Sequence, residues 1–268
     1  MDLRTRNNVK VAGQGAATLV FSHGFGCDQS MWRLLAPHFA GRFKLITYDL
    51  VGAGQATLAG YDRHKYSSLQ GYASDLAELI AEYGEGPVVV IGHSVSAMIA
   101  VLADLAVPGS IAGHVMVGPS PCYINHPGYT GGFERGDIDS LLATLESNYL
   151  GWASNMAPAI MGAPGQPALG DELTNSFCRT DPEIAKQFAR LTFLSDNRQD
   201  VRGLATPALI LQSLEDIIAP PEVGEYLHAA MPNSSLCVID NIGHCPHLSA
   251  PSQCAAAIDG FLARLGLA

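Results

Sequence analysis

The sequence predicts a single α/β domain, built on a mostly parallel, doubly wound sheet with helices on both faces. Short, continuous apolar runs alternate with helical patterns along most of the 268 residues, as expected for strands buried on both faces. A long segment at 121–195 contains no strand-like run. The chain is long enough for one large core but short for two ordinary domains and a linker.

Six apolar runs predict the strands of this sheet. The clearest is 88–91, a β-branched block that follows Gly86 and Pro87. The other runs lie, in chain order, at 18–21, 43–48, 115–117, 208–211 and 236–239. Continuous apolar runs of this length are typical of strands in a parallel sheet.

Helical periodicity fills the chain between these runs. Residues 68–83 have one apolar face, residues 95–106 are apolar nearly all round, and residues 221–230 and 253–265 are amphipathic. Four further helical stretches lie at 138–146, 149–160, 172–179 and 182–193. We therefore expect a core formed by 1–120 and 196–268, with 121–195 inserted as a helical lid.

Charge and cysteine usage argue against several classes of protein. With 15 Lys and Arg against 25 Asp and Glu, the net charge is −10, and no basic stripe indicates nucleic acid or an anionic membrane as a partner. No apolar run is long enough to span a membrane, and no signal peptide is recognisable, so we expect a cytoplasmic protein. The six scattered cysteines predict free thiols.

A serine follows the clearest strand. The segment Gly92-His93-Ser94-Val95-Ser96 leads into the most apolar helix, which is the setting of a nucleophile elbow. The motif usually reads G-x-S-x-G, and the small Ser96 replaces its last glycine. Such a turn would expose the Ser94 hydroxyl at the carboxyl edge of the sheet. The alternative is that Ser94 only caps the helix.

A nucleophilic serine needs a histidine base, which in this arrangement comes last along the chain. His244 follows the strand at 236–239 and should therefore reach the same edge of the sheet as Ser94. His247 lies three residues later, beside a helix start, where we expect it to pack or cap. We predict His244 as the base.

The acid that orients the histidine should follow the strand at 208–211. Asp216 is placed there, whereas Glu215 would point the other way and Asp240 is too close in sequence to the histidine loop. The predicted catalytic residues are therefore Ser94, Asp216 and His244. For Asp216 alone, a solvated or helix-capping carboxylate is the alternative.

The loop after the first predicted strand reads His23-Gly24-Phe25-Gly26. We predict that the backbone amides of Phe25 and Val95 form an oxyanion hole, while His23 braces the loop. His93 suggests metal binding but has no second ligand at a typical spacing. The sequence also lacks a nucleotide-binding glycine motif, so we expect neither a metal nor a cofactor.

These residues resemble the α/β-hydrolase superfamily, and within it the RsbQ-like regulatory hydrolases and the related plant karrikin and strigolactone receptors. The resemblance extends over essentially the whole chain. The residues that carry it lie at 23–26, 92–98, 117–123, 131–134, 216–220 and 243–247. The elbow is shared across the superfamily, whereas the lid segments 131–134 and 147–149 are more specific.

The resemblance implies an α/β-hydrolase fold with a four-helix, V-shaped lid over a mostly apolar pocket. It places in that pocket Phe25, Val95, Phe133, Trp152, Met156, Phe193 and Ile217. Large apolar groups in an inserted cap suit a small hydrophobic ligand, although each of them except Phe25 could equally pack the lid onto the core. Several plant members have an aromatic residue where Met156 stands, so their ligand preferences are not carried over.

Two functions follow from these residues and the resemblance. The first is a serine hydrolase that cleaves a small hydrophobic ester or lactone through an acyl-enzyme. The second is a ligand sensor with slow hydrolysis, whose altered lid acts on a protein partner; for RsbQ-like proteins that partner is a phosphatase of a stress-response pathway. A third, C–C bond hydrolysis or cofactor-free oxygenation on the same fold, is not excluded by a triad.

Overall fold

Seven strands form one central sheet in the computed structural model, which describes residues 1–267. The strands are β1 (Lys10–Ala12), β2 (Thr18–Ser22), β3 (Lys44–Thr47), β4 (Val88–His93), β5 (Gly113–Val117), β6 (Ala208–Glu215) and β7 (Ser234–Ile242). Their order is β1-β3-β2-β4-β5-β6-β7. Only β1 runs antiparallel to its neighbour among these strands. The predicted mostly parallel sheet is confirmed.

The direction of winding reverses at β2, which has β3 on one side and β4 on the other. Parallel pairing sets Ser22 opposite Gly92, and His93 opposite Val117. The carboxyl ends of β2, β4 and β5 therefore meet. In doubly wound sheets, ligands bind outside the carboxyl ends of the strands at such a reversal.

The burial of a strand affects how easily it is recognised in the sequence. Strands β2, β4 and β5 are buried along their whole length, so their residues form continuous apolar runs that are easily recognised. The apolar runs do not predict strand β1. It is a three-residue, exposed edge strand, too short and too solvated to carry an apolar pattern.

Helices cover both faces of the sheet. They are α1 (Leu3–Arg6), α2 (Leu69–Tyr83), α3 (Val95–Ala106), α4 (Arg135–Ser147), α5 (Tyr149–Met161), α6 (Pro167–Arg179), α7 (Pro182–Phe193), α8 (Arg198–Arg202), α9 (Pro221–Ala230), α10 (Pro246–Ser249) and α11 (Pro251–Arg264). Val20 and Val90 pack with α2 and α3 on one face. Their neighbours Phe21 and Ile91 pack with α11 on the other, as side chains alternate along a strand.

The four helices α4 to α7 lie between β5 and β6, and we call them the lid. They overlap the predicted helical stretches, but α4 begins at Arg135 rather than at residue 138, and α6 begins at Pro167 rather than at residue 172. Proline is favourable at the first position of a helix, since its missing N–H is not needed there. The lid helices share one apolar cluster with Met31, Ile218 and Leu248 of the core. No helix within residues 1–267 has the length and apolar character to cross a membrane.

Candidate active site

The turn at Ser94 has the strained backbone of a nucleophile elbow. Ser94 has φ 56° and ψ −126°, a conformation that is costly for a residue with a side chain and typical of functional turns. A Cβ on Gly92 would lie 2.8 Å from backbone atoms of Ser96 and Ala97, so only glycine fits there. The elbow therefore depends on close contact between β4 and α3.

Ser96 explains how the chain departs from the usual elbow motif. Its hydroxyl is buried and donates a hydrogen bond to the carbonyl oxygen of His23. A glycine at this position would pack equally closely but would leave that carbonyl without this donor. The substitution thus ties the elbow to the loop after β2.

Ser94, His244 and Asp216 lie in one hydrogen-bonded row. The Ser94 Oγ is 2.9 Å from His244 Nε2, and His244 Nδ1 is 2.7 Å from Asp216 Oδ2. The amides of Ile218 and Ala219 donate to the other carboxylate oxygen, at 2.8 and 3.1 Å. All three side chains are buried. The Asp216 carboxylate is therefore fixed from both sides and holds the imidazole with Nε2 toward the serine.

The carboxylates considered as alternatives lie elsewhere. Glu215 and Asp240 are both exposed, and neither is hydrogen-bonded to His244. Glu215 is the last residue of β6, and Asp216 follows it in the turn whose Ile218 and Ala219 amides hold its carboxylate. The exposed and the buried carboxylate are therefore neighbours along the chain.

His247 points away from the serine. Its ring packs on Trp32 and on His93, with centroid distances of 4.6 and 4.5 Å. Burial lowers the pKa of His247 to about 3, with His244 and Arg33 contributing, so the ring is neutral at pH 7. The expectation that His247 packs, while His244 reaches the serine, agrees with this geometry.

The lid is hydrogen-bonded directly to the loop that carries His244. The amide of His244 donates to the carbonyl oxygen of Ile160 at 2.9 Å, and the amide of Ala163 donates to that of Ile242 at 2.8 Å. A Cβ on Gly243, which has φ +117°, would lie 1.8 Å from the carbonyl oxygen of Met161. The end of α5 therefore positions the backbone of His244.

The loop after β2 packs against the elbow. The amide of Leu50 donates to His23 Nε2 at 3.0 Å, while Nδ1 lies 2.9 Å from the carbonyl oxygen of Gly24. A Cβ on Gly24 would lie 2.6 Å from His93 Nδ1. Within residues 1–267, the amides of Phe25 and Val95 donate no hydrogen bond. Both amides are therefore available for an oxyanion.

A small apolar cavity lies above Ser94, with a volume of about 30 Å³. This is room for one or two water molecules. Most of its wall is apolar, and the wall also includes Ser94 and His244. The lining residues are Phe25, Cys27, His93, Ser94, Tyr123, Ile160, Leu173, Phe177, Thr192, Phe193, Ile218, His244 and Cys245.

The pocket implied by the family resemblance agrees only in part with this lining. Phe25 and Phe193 line the cavity, whereas four other residues do not: Val95, which packs with α2 and α3, and Phe133, Trp152 and Met156, which pack in the apolar cluster shared by the lid and the core. The assignment of Ile217 to the pocket is wrong, because this residue is 54% exposed. The hydrogen bond from the Ile218 amide to Asp216 turns the chain there, so Ile218 faces the cavity and Ile217 faces solvent.

Tyr123 is a site residue that the sequence analysis did not single out. Its hydroxyl lies 3.3 Å from Ser94 Oγ, and its ring packs edge-on against Phe193. Burial raises the pKa of Tyr123 to about 12, so the hydroxyl keeps its proton. Its position shortly after β5, at the same sheet edge, was the signal that could have identified it.

The fold and this site agree with the family whose sequence model matches the chain. The model of the Alpha/beta hydrolase family matches residues 19–257. The chain belongs to the alpha/beta hydrolase family. The family name and the esterase names among its relatives make it an esterase-like hydrolase.

Named relatives refine this membership. The hydrolase is 38% identical over 246 residues to karrikin insensitive 2 receptor CA of Petunia hybrida, covering 91% of each chain. It is 34% identical over 258 residues to strigolactone esterase D14 of Arabidopsis thaliana, covering 96% of each. A solved structure of a hydrolase from Oleispira antarctica superposes with a TM-score of 0.93 at 43% identity, covering 97% of this chain and 96% of that one. The resemblance to the plant receptors is confirmed.

Proposed function

We propose that this hydrolase cleaves a small hydrophobic carboxylic ester or lactone through an acyl-enzyme. The observation that carries the proposal is the buried row Asp216–His244–Ser94, with hydrogen bonds of 2.7 and 2.9 Å. A serine hydroxyl is a weak nucleophile unless an oriented base takes its proton during attack. This row supplies such a base and the carboxylate that orients it.

The proposed reaction has two halves. Ser94 Oγ attacks the substrate carbonyl carbon while His244 Nε2 takes the serine proton; the same nitrogen then protonates the leaving alcohol as the ester bond breaks. Water, deprotonated by His244, next attacks the acyl-enzyme and releases the acid and free Ser94. Asp216 stays ionised and stabilises the imidazolium that forms in each half.

Two backbone amides complete the proposed machinery. Negative charge develops on the substrate carbonyl oxygen, and the unused amides of Phe25 and Val95 are the donors we assign to it. Val95 is the first residue of α3, so the positive end of that helix adds to the stabilisation. No step requires a cofactor.

The cavity wall supports the proposed substrate class. Apart from the reacting residues, the wall is made mainly of aromatic, aliphatic and cysteine side chains, which suits an uncharged, compact ligand. A strigolactone esterase and a karrikin receptor are among the relatives, which makes a lactone a reasonable candidate beside a simple ester. A cytoplasmic location stays a prediction from the sequence.

Ser94→Ala tests the proposed chemistry. With p-nitrophenyl acetate and a synthetic butenolide, we expect the rate to fall by at least about 1000-fold, and the acyl adduct of the wild type to be missing from the intact-protein mass. Thermal unfolding checks that the variant is folded, and Ser147→Ala, an exposed lid residue, is the matched control. A folded Ser94→Ala variant with wild-type turnover would disprove the proposal.

A second candidate is a sensor in which hydrolysis is slow and the lid signals to a protein partner. The hydrogen bond from the His244 amide to Ile160 favours it, since a ligand that shifts α5 also shifts the base. A phosphatase is the kind of partner that the RsbQ-like resemblance implies. A burst of product followed by a stalled, covalently modified protein that captures a partner would favour the sensor; rapid turnover without a lasting adduct would favour the enzyme.

A further inference from the structure

Three buried metal-ligand side chains meet beside the serine site. A donor atom from each of His93, Cys245 and His247 lies within 4.8 Å of the other two. Their exposed fractions are 2%, 1% and 0%. We call them the histidine–cysteine cluster. His93 is separated from the other two by some 150 positions of sequence, so only the folded chain brings them together.

In the part of the chain that the structure describes, three of the four ring nitrogens in this cluster lack a hydrogen-bond partner, and only His93 Nε2 has one. Within residues 1–267, neither ring nitrogen of His247 has a hydrogen-bond partner, and His93 Nδ1 has none. A buried polar atom without a partner costs free energy, and an unplaced ion or water is one of its standard explanations. Two neutral imidazoles beside a thiol form a ligand set that suits copper, because thiolate selects Cu(I) and imidazole also binds copper.

The cluster also has a path from outside. His93 and Cys245 both line the cavity above Ser94, so an ion that enters the cavity meets the thiol before it reaches His247. An entry path is a requirement for a credible metal site. The cavity that admits a substrate would therefore also admit the ion.

We propose that the histidine–cysteine cluster binds a monovalent copper ion, Cu(I). Binding replaces the thiol proton of Cys245, which leaves to solvent, and shifts the His93 proton from Nε2 to the unpartnered Nδ1. One Cu–S bond and two Cu–N bonds form. The product carries no net charge, which matters in a core where an uncompensated charge is costly. A zinc ion with the same three ligands would keep a charge of +1 and would lack the fourth ligand of its tetrahedral structural sites.

Occupation of this site affects the catalytic histidine. His93 Nε2 lies 3.0 Å from the carbonyl oxygen of His244 and 3.9 Å from Cys245 Sγ. A Cu(I) ion bound through this nitrogen takes the place of the hydrogen bond to His244. The loop that holds the base is then released on one side, so copper slows ester cleavage.

Anaerobic titration with Cu(I) against bathocuproine disulfonate, a coloured chelator, tests the site directly. The exposed Cys178 is first replaced by Cys178→Ala to remove a surface thiol. In this background we expect one Cu(I) per chain, with one sulfur and two nitrogen neighbours by X-ray absorption. Even the loss of an outer partner lowers metal affinity by about 10–100-fold, so Cys245→Ala should weaken binding by at least about 100-fold.

Matched variants separate this site from other thiols. Cys254→Ala removes an equally buried cysteine of α11, which packs in a different apolar cluster from Cys245, and should leave the copper affinity unchanged. If Cys245→Ala does not fold, His247→Phe keeps a ring against Trp32 and should weaken binding in the same way. Equal binding by the wild type and Cys245→Ala, no bound copper in the wild type, or a preference for Zn²⁺ would each overturn the proposal.

Discussion

His244 and His247 are three residues apart and both buried, but they differ in their hydrogen-bond partners. Both are nearly inaccessible to solvent. His244 has a partner on each ring nitrogen, Ser94 and Asp216, whereas His247 has none within residues 1–267. A histidine's role is therefore read from its partners at the strand ends and not from how deeply it is buried.

Replacement of each histidine in turn gives the largest contrast. His244→Gln removes the base and should lower kcat by about 10⁴–10⁶-fold, whereas His247→Phe should change it by less than about 10-fold. Initial rates of p-nitrophenyl acetate cleavage measure both, with thermal unfolding as the check on folding. Comparable losses in the two folded variants would remove the distinction between the two histidines.

Asp216→Asn tests what the partner on Nδ1 contributes. An amide in place of the carboxylate favours the wrong tautomer of His244, and we expect kcat to fall by about 10⁴-fold with little change in stability. Glu215→Gln is the control, since this neighbour is exposed and should keep wild-type kcat. Equal effects of the two substitutions would show that the carboxylate does not orient the base.

Substitution of two adjacent isoleucines tests the turn that follows Asp216. Ile218→Ala empties a buried position in the wall of the cavity and should lower the free energy of unfolding by about 2–4 kcal/mol. Ile217→Ala, at an exposed position, should change it by less than about 0.5 kcal/mol. Urea unfolding measures both. The reverse order would contradict the turn that the Asp216 carboxylate stabilises.

The buried, neutral state of His247 should make the stability of the folded chain depend on pH. Burial lowers the pKa of this histidine in the folded chain to about 3, from 6.5, so the unfolded chain binds more protons between these values. The stability from a neutral His247 is therefore complete above pH 6.5 and falls as the pH decreases below it.

Urea unfolding at pH 7 and pH 5 checks this expectation. The wild type should lose about 2 kcal/mol through His247, and more through His93, whose pKa burial also lowers. The neighbours that bear on the titration of His247 are His93, His244, Cys245 and Arg33. His247→Phe should lose less than the wild type; an unchanged loss would show that His247 does not titrate on unfolding.

Most of the candidate site could be predicted from the sequence, because its residues follow the ends of predicted strands. Ser94, Asp216 and His244 each follow a strand that carries an apolar run, although β7, before His244, is only partly buried. Parallel strands bring their carboxyl ends together, so the order of residues along the chain was enough to predict their proximity. The fold followed from the same apolar runs. The exposed edge strand β1 could not be found in this way, because three solvated residues carry no such pattern.

The remaining features depend on tertiary packing that no local pattern encodes. Whether Ile217 or Ile218 faces the cavity depends on the turn in which the amides of Ile218 and Ala219 donate to Asp216. Ser96 compensates for the missing glycine through a carbonyl group on another loop. The meeting of His93 with Cys245 and His247 joins distant parts of the chain, which is why spacing along the sequence indicated no second ligand.

The size of the cavity has a kinetic consequence. A volume of about 30 Å³ has room for one or two water molecules and not for a lactone of ten heavy atoms, so the lid and the core must separate before such a ligand enters. The apparent affinity is then reduced by the fraction of molecules that are open. At high ligand concentration, the observed association rate should level off at the opening rate. Residence time, rather than contact area, then distinguishes one ligand from another.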